Sequence, residues 1–253
     1  MGAVKKLAPA AMIIRNCCGL EELRSCVALQ KEVWKFSDAD LVPLRMFVVA
    51  EKIGGQVIGA FVRKRLAGFS LSLPGIRDGK SYLHSHMLAV SEEYRNAGLG
   101  RKLKLFQRKD AIQRGFDLIE WTFDPLEIKN AYFNIERLGA IARRYSVDQY
   151  GTSSSPLQGG LPTDRLIAEW WLKSDRVNKR IQDRGEKATP AKRIFVPAEI
   201  YQWKASPNTR KRAKTVQKKN RLEFMRAFSS RLAVLGYERD ENGNGAFLLG
   251  RWR

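Results

Sequence analysis

Histidine is almost absent from this chain: His84 and His86 are the two in 253 residues. Cysteine is nearly as scarce, and Cys17, Cys18 and Cys26 crowd one end with no histidine beside them. An odd, clustered set without ligand spacing argues against a disulfide framework and against structural zinc, and no metal site is expected. Reduced thiols of a cytoplasmic protein are the plain reading. No apolar run approaches the roughly 20 residues that a membrane helix needs. Met1–Ala11 reads as neither a signal peptide nor a spanning segment, and Lys6 stands where a myristoylation signal after Gly2 wants Ser or Thr. Acidic charge is the remaining deficit, with 26 Asp and Glu against 46 Lys and Arg, a formal net charge of +20.

The basic excess is uneven. Residues 176–231 contain 17 Lys/Arg and 4 Asp/Glu, a balance of +13. Such a patch fits nucleic acid or an acidic surface, or else a solvated helix face. With 44% hydrophobic and 10% aromatic residues there is ample material for a core, and the length allows one large domain or one domain with an appendage.

Along the chain, Ile13–Ile14 begins a strand, and Leu20, Leu23, Val27 and Trp34 recur at helical spacing. Met46–Lys52 and Gln56–Arg63 read as strands of a hairpin about Ile53-Gly54-Gly55. Ala67–Lys80 reads as a Gly/Ser/Pro loop. A strand carrying both histidines follows, then the turn Arg95-Asn96-Ala97-Gly98-Leu99-Gly100 and a helix with Leu99, Leu103, Phe106 and Ile112 on its apolar face. Asp117–Phe123 is a strand, Ile128–Leu138 a helix closed by Gly139, Ala140–Ser146 and Asp164–Leu172 strands. Beyond Lys173, Arg176–Ala191 reads as irregular, Arg193–Val196 as a short strand, Asn208–Leu235 as a long basic helix and Tyr237–Trp252 as a hairpin. This divides the chain into a domain over 11–173 and a basic C-terminal α/β extension over 174–253.

A strand that ends in a glycine turn and opens a helix offers backbone N–H groups to an anion. A P-loop would need Lys-Ser/Thr after the second glycine, where the chain reads Arg101-Lys102-Leu103. A dinucleotide fingerprint needs a small residue where Leu103 stands, although Glu120 falls about 20 residues on, as a ribose-binding acid would. The pattern Arg-x-x-Gly-x-Gly between a strand ending Leu88-Ala89-Val90 and a basic helix resembles the coenzyme A pyrophosphate motif of the GNAT acyltransferase superfamily. The resemblance covers roughly Ile13–Leu172. It implies an α+β, three-layer fold with a central mixed sheet, to which the C-terminal extension is added. It also implies acetyl-CoA or another acyl-CoA as co-substrate and no metal. The main-chain N–H groups of Asn96, Ala97, Gly98, Leu99, Gly100 and Arg101 would meet the pyrophosphate, with Arg95 as a further cofactor-binding residue and side-chain charge from Arg101, Lys102 and Lys104. The exposed backbone of Leu88, Ala89 and Val90 would pair with the pantetheine arm.

The spelling His84-Ser85-His86-Met87-Leu88-Ala89-Val90 is similar to the equivalent strand of arylalkylamine N-acetyltransferases. There the paired histidines help to take the proton from the amine, and other GNAT members place a glutamate where His84 stands. Period-2 geometry would set both rings on one face, and an imidazole near neutral pKa suits deprotonation of an ammonium. Asn130 or Asn134, one turn apart, would be the cofactor-binding asparagine of the second helix. The tyrosine that many members carry four residues before the helix-ending glycine is replaced by Ile135, leaving Tyr132 or Tyr145 as substitutes for the acid, or a thiolate that departs without a dedicated acid. Trp34–Arg45 would line the acceptor pocket, with Trp34, Phe36, Asp38 and Arg45 available.

Two functions remain open on this reading. One is acyl transfer, most simply acetyl transfer, to a primary amine of a small molecule or amino acid. The other is a GNAT-fold nucleic-acid-binding or regulatory protein, for which Phe195, Tyr201, Trp203, Phe224 and Phe228 would be stacking surfaces. Neither excludes a homodimer, and neither calls for a membrane.

Overall fold

The computed structural model describes residues 12–151, 153–186 and 188–252. The readings made on Met1–Ala11 lie outside the described residues. Among the described residues, ten strands form one mixed sheet: β1 (Met12–Asn16), β2 (Gln56–Val62), β3 (Arg65–Arg77), β4 (Lys80–Val90), β5 (Leu118–Phe123), β6 (Ile141–Ser146), β7 (Arg165–Trp171), β8 (Lys192–Val196), β9 (Leu232–Arg239) and β10 (Gly245–Arg251). Their spatial order is β1-β2-β3-β4-β5-β7-β6-β9-β10-β8. β4 and β5 run parallel, and the other neighbours are antiparallel.

Helices cover both faces. α1 (Gly19–Trp34) and α2 (Leu44–Lys52) bury Leu23, Cys26, Leu29, Phe47 and Ala50 with Phe69, Leu71, Met87 and Ala89 of β3 and β4. α3 (Leu99–Gln113) sets Leu99 and Leu103 against Ile58, Ala60 and Ala67 in a separate core. The largest core joins the end of α3 to α4 (Ile128–Tyr132), α5 (Asp175–Ile181), α6 (Ile200–Ala205) and α7 (Arg210–Ser229), with Trp121, Trp170 and Phe247 among its strand residues. Among the described residues no helix is long and apolar enough to cross a membrane.

Four local readings are corrected. Met46–Lys52 belongs to a helix, because Phe47 and Ala50, three apart, are the buried pair while Met46 and Val49 lie outward. β-branched composition misled there, and packing against the sheet decided. Ala67–Lys80 belongs mostly to the 13-residue β3. Its glycines are packing devices: a Cβ on Gly68 would stand 2.8 Å from the Ala89 carbonyl oxygen, and one on Gly75 would strike the Tyr82 ring. Arg176–Ala191 contains α5, capped by Ser174, whose hydroxyl accepts from the Val177 N–H. The long basic helix ends at Ser229, and residues 232–235 begin β9 instead.

The C-terminal segment continues the sheet, since Ala142 of β6 pairs with Val234 of β9. It is also tied by buried polar contacts. Arg221 of α7 grips both carboxylate oxygens of Asp164 at 2.8 Å, and Arg180 pairs with Glu136. The Arg176 guanidinium donates to the carbonyls of Gly139 and Leu235.

Candidate active site

The site begins where two strands part. β4 and β5 pair only at Leu83–Ile119 and His84–Glu120, and beyond them the β4 edge runs free of β5 to Val90. Opposite β3, Leu71 pairs with Met87 and Ser72 with Ser85, so His86 is an extra, bulged residue. A bulge reverses the alternation of faces. Before it, Ser85 turns to α3; after it, Leu88 and Val90 do, while Met87 and Ala89 join the core under α1 and α2.

The wedge opens into a cavity of about 620 Å³. Ser85, His86, Met87 and Leu88 line it from β4, and Lys104 from α3. Trp121, Thr122 and Phe123 close it on the β5 side. The expected period-2 pairing of the histidines is broken by the bulge. Their ring centroids are 6.2 Å apart, but His86 lines the cavity and His84 does not. Burial, with His86 and Lys104 close by, brings His84 down to about 4. His86 is exposed to solvent, yet the surrounding protein lowers its pKa as well. Both imidazoles are therefore neutral at pH 7.

At the far end of the free edge lies the glycine turn. Asn96 and Gly98 take left-handed conformations (φ 61° and 77°), a conformation that glycine enters without cost and asparagine tolerates. Among the described residues, none of the backbone N–H groups from Asn96 to Arg101 finds an acceptor in the protein. Six consecutive free donors at the N-terminus of a 15-residue helix form an anion cradle. Arg95 and Lys102 are exposed beside it, and the Arg95 side chain donates to the Val90 carbonyl at 3.2 Å. These donors fit a diphosphate. The side-chain charge expected from Arg101 and Lys104 is spent elsewhere: Arg101 donates to the Ile181 carbonyl at 2.5 Å, and Lys104 turns inward to the cavity.

Asn130 and Asn134 both line the cavity, with Asn134 Nδ2 3.5 Å from Asn130 Oδ1. Asn134 belongs to a π-helical turn, Phe133–Arg137, which widens the helix there. Ile135 is wholly buried in the core. Neither tyrosine offered in its place reaches the cavity. Tyr145 donates to Asp164 at 2.6 Å, and burial with that carboxylate pushes its hydroxyl far up. Tyr132 packs against the main core beside Arg239.

On the acceptor side, Trp34 and Phe36 line the cavity as a stacked pair with centroids 5.7 Å apart. Asp38 is exposed and bound to Lys31, and Arg45 is exposed outside the cavity, so neither takes the role expected for it. Asp40 lines the wall in place of Asp38, accepting from the N–H and hydroxyl of Ser154. Sequence reasoning missed Tyr150, whose hydroxyl meets Thr122 Oγ1 at 2.9 Å, and the pair Asp124 and Glu127. Both acids are held by Lys204 of α6, at 2.9 and 2.7 Å. Asp124 follows a strand end and precedes Pro125, a local signal that marked it as a stop and not as a wall. Glu120 has a structural role, accepting from Arg77 and Arg144.

Lys104 is the electrostatic exception, a lysine only 3% exposed and in no ion pair among the described residues. Burial lowers its pKa from 10.5 to about 7. Unfolded protein thus binds more protons than folded protein between those values, so stability rises with pH from about 7 to 10.5. Lys104→Met, which keeps length and removes the charge, is expected to abolish that rise. At pH 7 it should stabilise the fold by roughly 1–3 kcal/mol after the lost hydrogen bonds are counted. Thermal melts across that window check it; an unchanged rise in the variant contradicts the account.

No protein-family model matches the chain, and no curated protein sequence does. Its structure is similar to the ribosomal-protein-S18-alanine N-acetyltransferase from Escherichia coli, with TM-score 0.52 and 15% identity over 65% of this chain and 96% of that one. It is similar to an N-acetyltransferase from Staphylococcus aureus Mu50, with TM-score 0.52 and 13% identity over 65% and 100%. A structure described as a GNAT-family acetyltransferase from Desulfovibrio desulfuricans gives TM-score 0.52 and 15% identity over 64% and 99%. The chain has the fold of the GNAT acetyltransferases. The rest of its length lies outside the likeness.

Proposed function

We propose that this protein is an acyl-CoA-dependent N-acyltransferase that acetylates a primary amine of a small molecule or an amino acid. One observation carries the reading: six unpaired N–H donors stand at one end of a free strand edge, and a neutral imidazole stands at its other end inside a cavity. Acetyl-CoA would supply the activated acyl group as a thioester. The N–H groups of Asn96–Arg101, with Arg95 and Lys102, bind its diphosphate. The free β4 edge at Leu88, Ala89 and Val90 holds an extended amide-bearing arm by strand addition. Asn130 and Asn134 orient the same arm from the opposite wall.

Neutral His86 takes the proton from the ammonium and leaves a free amine to attack the thioester carbonyl. His84 stands behind it with its ring centroid 6.2 Å away, and the charge that His86 carries once protonated keeps His84 neutral. Trp34, Phe36, Phe123 and Phe133 supply apolar walls, which favours an acceptor with an apolar body over a wholly polar one. The three free thiols suit a reducing, cytoplasmic setting.

The nucleic-acid alternative rests on α7, whose outward face carries Lys211, Arg212, Lys214, Lys218 and Lys219. Of the aromatics that would stack bases, Phe224 is wholly buried and Trp203 and Phe228 pack on the same core, while Phe195 and Tyr201 are exposed. Calorimetry with acetyl-CoA and a panel of primary amines, following thiol release, tests the reading. Charge reversal at those five positions is expected to leave acetyl-CoA affinity and transfer within about twofold, since exposed charges beyond a Debye length of about 8 Å are screened. RNA or DNA binding that falls steeply with salt and vanishes in the reversed protein, with no acetyl-CoA bound, would overturn the reading.

A further inference from the structure

The feature that the reading above leaves unused is the buried polar network beneath the wedge. Lys104 Nζ donates to Ser85 Oγ at 2.9 Å and to Gln107 Oε1 at 3.0 Å. It lies 3.8 Å from the centroid of the Trp121 ring and 5.9 Å from that of Trp170. Gln107 Nε2 donates to Ser72 Oγ at 2.7 Å and to Ser85 Oγ at 3.1 Å. Ser85 therefore accepts two hydrogen bonds, which occupy both lone pairs of a hydroxyl. Its own proton is left to give, and Ser85 lines the cavity. A cation is thus aimed, through a hydroxyl, at the cavity.

Position gives that space a meaning. From Val90 back to Ser85 the free β4 edge spans six residues, five steps or about 17 Å of extended chain. An arm anchored at Asn96–Arg101 and laid along this edge ends at the apex of the wedge, beside Ser85 and the bulged His86. The titratable group that feels Lys104 from β4 is His84, with His86 lining the same cavity, while β5 and β7 present the tryptophans. Of the carboxylates of the same cavity, Asp124 and Glu127 are held by Lys204 and Asp40 accepts from Ser154.

Resting on the acyl-CoA reading, we propose that Ser85 protonates the departing sulfur and that Lys104 recharges Ser85. As the amine nitrogen bonds to the carbonyl carbon, the carbon–sulfur bond breaks and sulfur leaves with the electron pair. Ser85 passes its hydroxyl proton to that sulfur, and the Lys104 ammonium passes a proton to Ser85 Oγ. The ammonium loses two protons on its way to the amide: His86 takes the first before attack and later gives it to solvent, and the second leaves the adduct nitrogen through solvent and restores the proton that Lys104 gave, so the products are an amide, a thiol and one released proton. Ser85 is the residue in contact with sulfur, and Lys104 positions and refills it. The low pKa of the buried lysine suits this exchange, because an ammonium near neutrality gives and regains its proton readily.

The test needs no acceptor. Coenzyme A, the free thiol, is bound to the full chain, and thiolate absorbance is followed against pH. A hydrogen-bonded ammonium relay favours thiolate, so the bound thiol is expected to titrate about one unit or more below free coenzyme A. Ser85→Ala and Lys104→Met should each abolish most of that shift while calorimetry keeps coenzyme A affinity within about threefold. Ser85→Ala removes one atom and carries the test alone if the lysine variant does not fold. Coenzyme A that binds with an unshifted thiol, or with a shift that both variants retain, overturns the relay and spares the reading. A wild-type protein that binds no coenzyme A overturns both.

Discussion

Gly100→Glu should leave the protein folded, and melting no lower than wild type, while its affinity for acetyl-CoA falls by about 100-fold to 1,000-fold. Gly100 is the second residue of α3, where an acidic side chain interacts favourably with the helix dipole. Replacing a helical glycine also recovers roughly 0.5–1 kcal/mol of backbone entropy. Space is adequate, since a Cβ there would lie 3.5 Å from Leu88 Cδ2, ordinary contact. A carboxylate in the first turn of α3 stands beside the six free N–H groups that the diphosphate would meet. A carboxylate about 4 Å from one phosphate charge costs about 4 kcal/mol at a near-surface dielectric of 20. Calorimetry with acetyl-CoA, beside a thermal melt, is the measurement. A folded Gly100→Glu protein with wild-type affinity would sink the assignment of this turn. Gly98 is a poorer place for the experiment, because its φ of 77° would strain any side chain and blur stability with binding.

The cradle was legible because everything it needs is local. Arg95–Gly100 carries its turn chemistry in six consecutive residues, and a helix must follow or the N–H groups would not converge. The cavity behind it was only half legible. His86 and Leu88 could be placed on a strand by alternation, but a bulge depends on how β3 is registered against β4, and no spacing within residues 81–90 reports it. Lys104 looked like one more cation of a basic helix. Its inward course follows from Ser85 and Gln107, which are 19 and 3 residues away and meet it only in the fold. The π-helical turn at Phe133–Arg137 defeated the counting that relied on 3.6 residues per turn, so the search around Ile135 and its tyrosine neighbours fell on residues facing the core. In the basic tail the charge excess was plain. The anchoring residues Arg176, Arg180 and Arg221 were indistinguishable by composition from Lys211 or Lys218, although the former are spent on carbonyls and carboxylates inside.

The two histidines divide differently from their appearance as a pair, and their single variants should show it. His86→Ala is expected to lower kcat for acetyl transfer by about 10²–10⁴, the usual loss of a positioned base. His84→Ala, outside the cavity, should cost less than about tenfold, through the ring it supports. The pH profile gives the sharper distinction. A base works unprotonated, so wild-type activity falls as pH drops through the pKa of His86. Burial lowers that pKa, which places the acid limb below the 6.5 of free histidine. Without His86 the amine must lose its proton to water, so the acid limb should move up toward the pKa of the amine. Activity should then recover at high pH. His84 leaves a separate signature on stability. Its folded pKa of about 4 lies below 6.5, so unfolded protein takes the extra proton between those values. The stability that neutral, buried His84 contributes is complete above pH 6.5 and is lost as pH falls toward 4, and His84→Ala should flatten that decline. Rate profiles from pH 5 to 9.5 and melts from pH 4 to 7 separate the roles. An acid limb that stays in place in His86→Ala but shifts in His84→Ala would exchange the assignment, and one that shifts in neither would return both rings to structure.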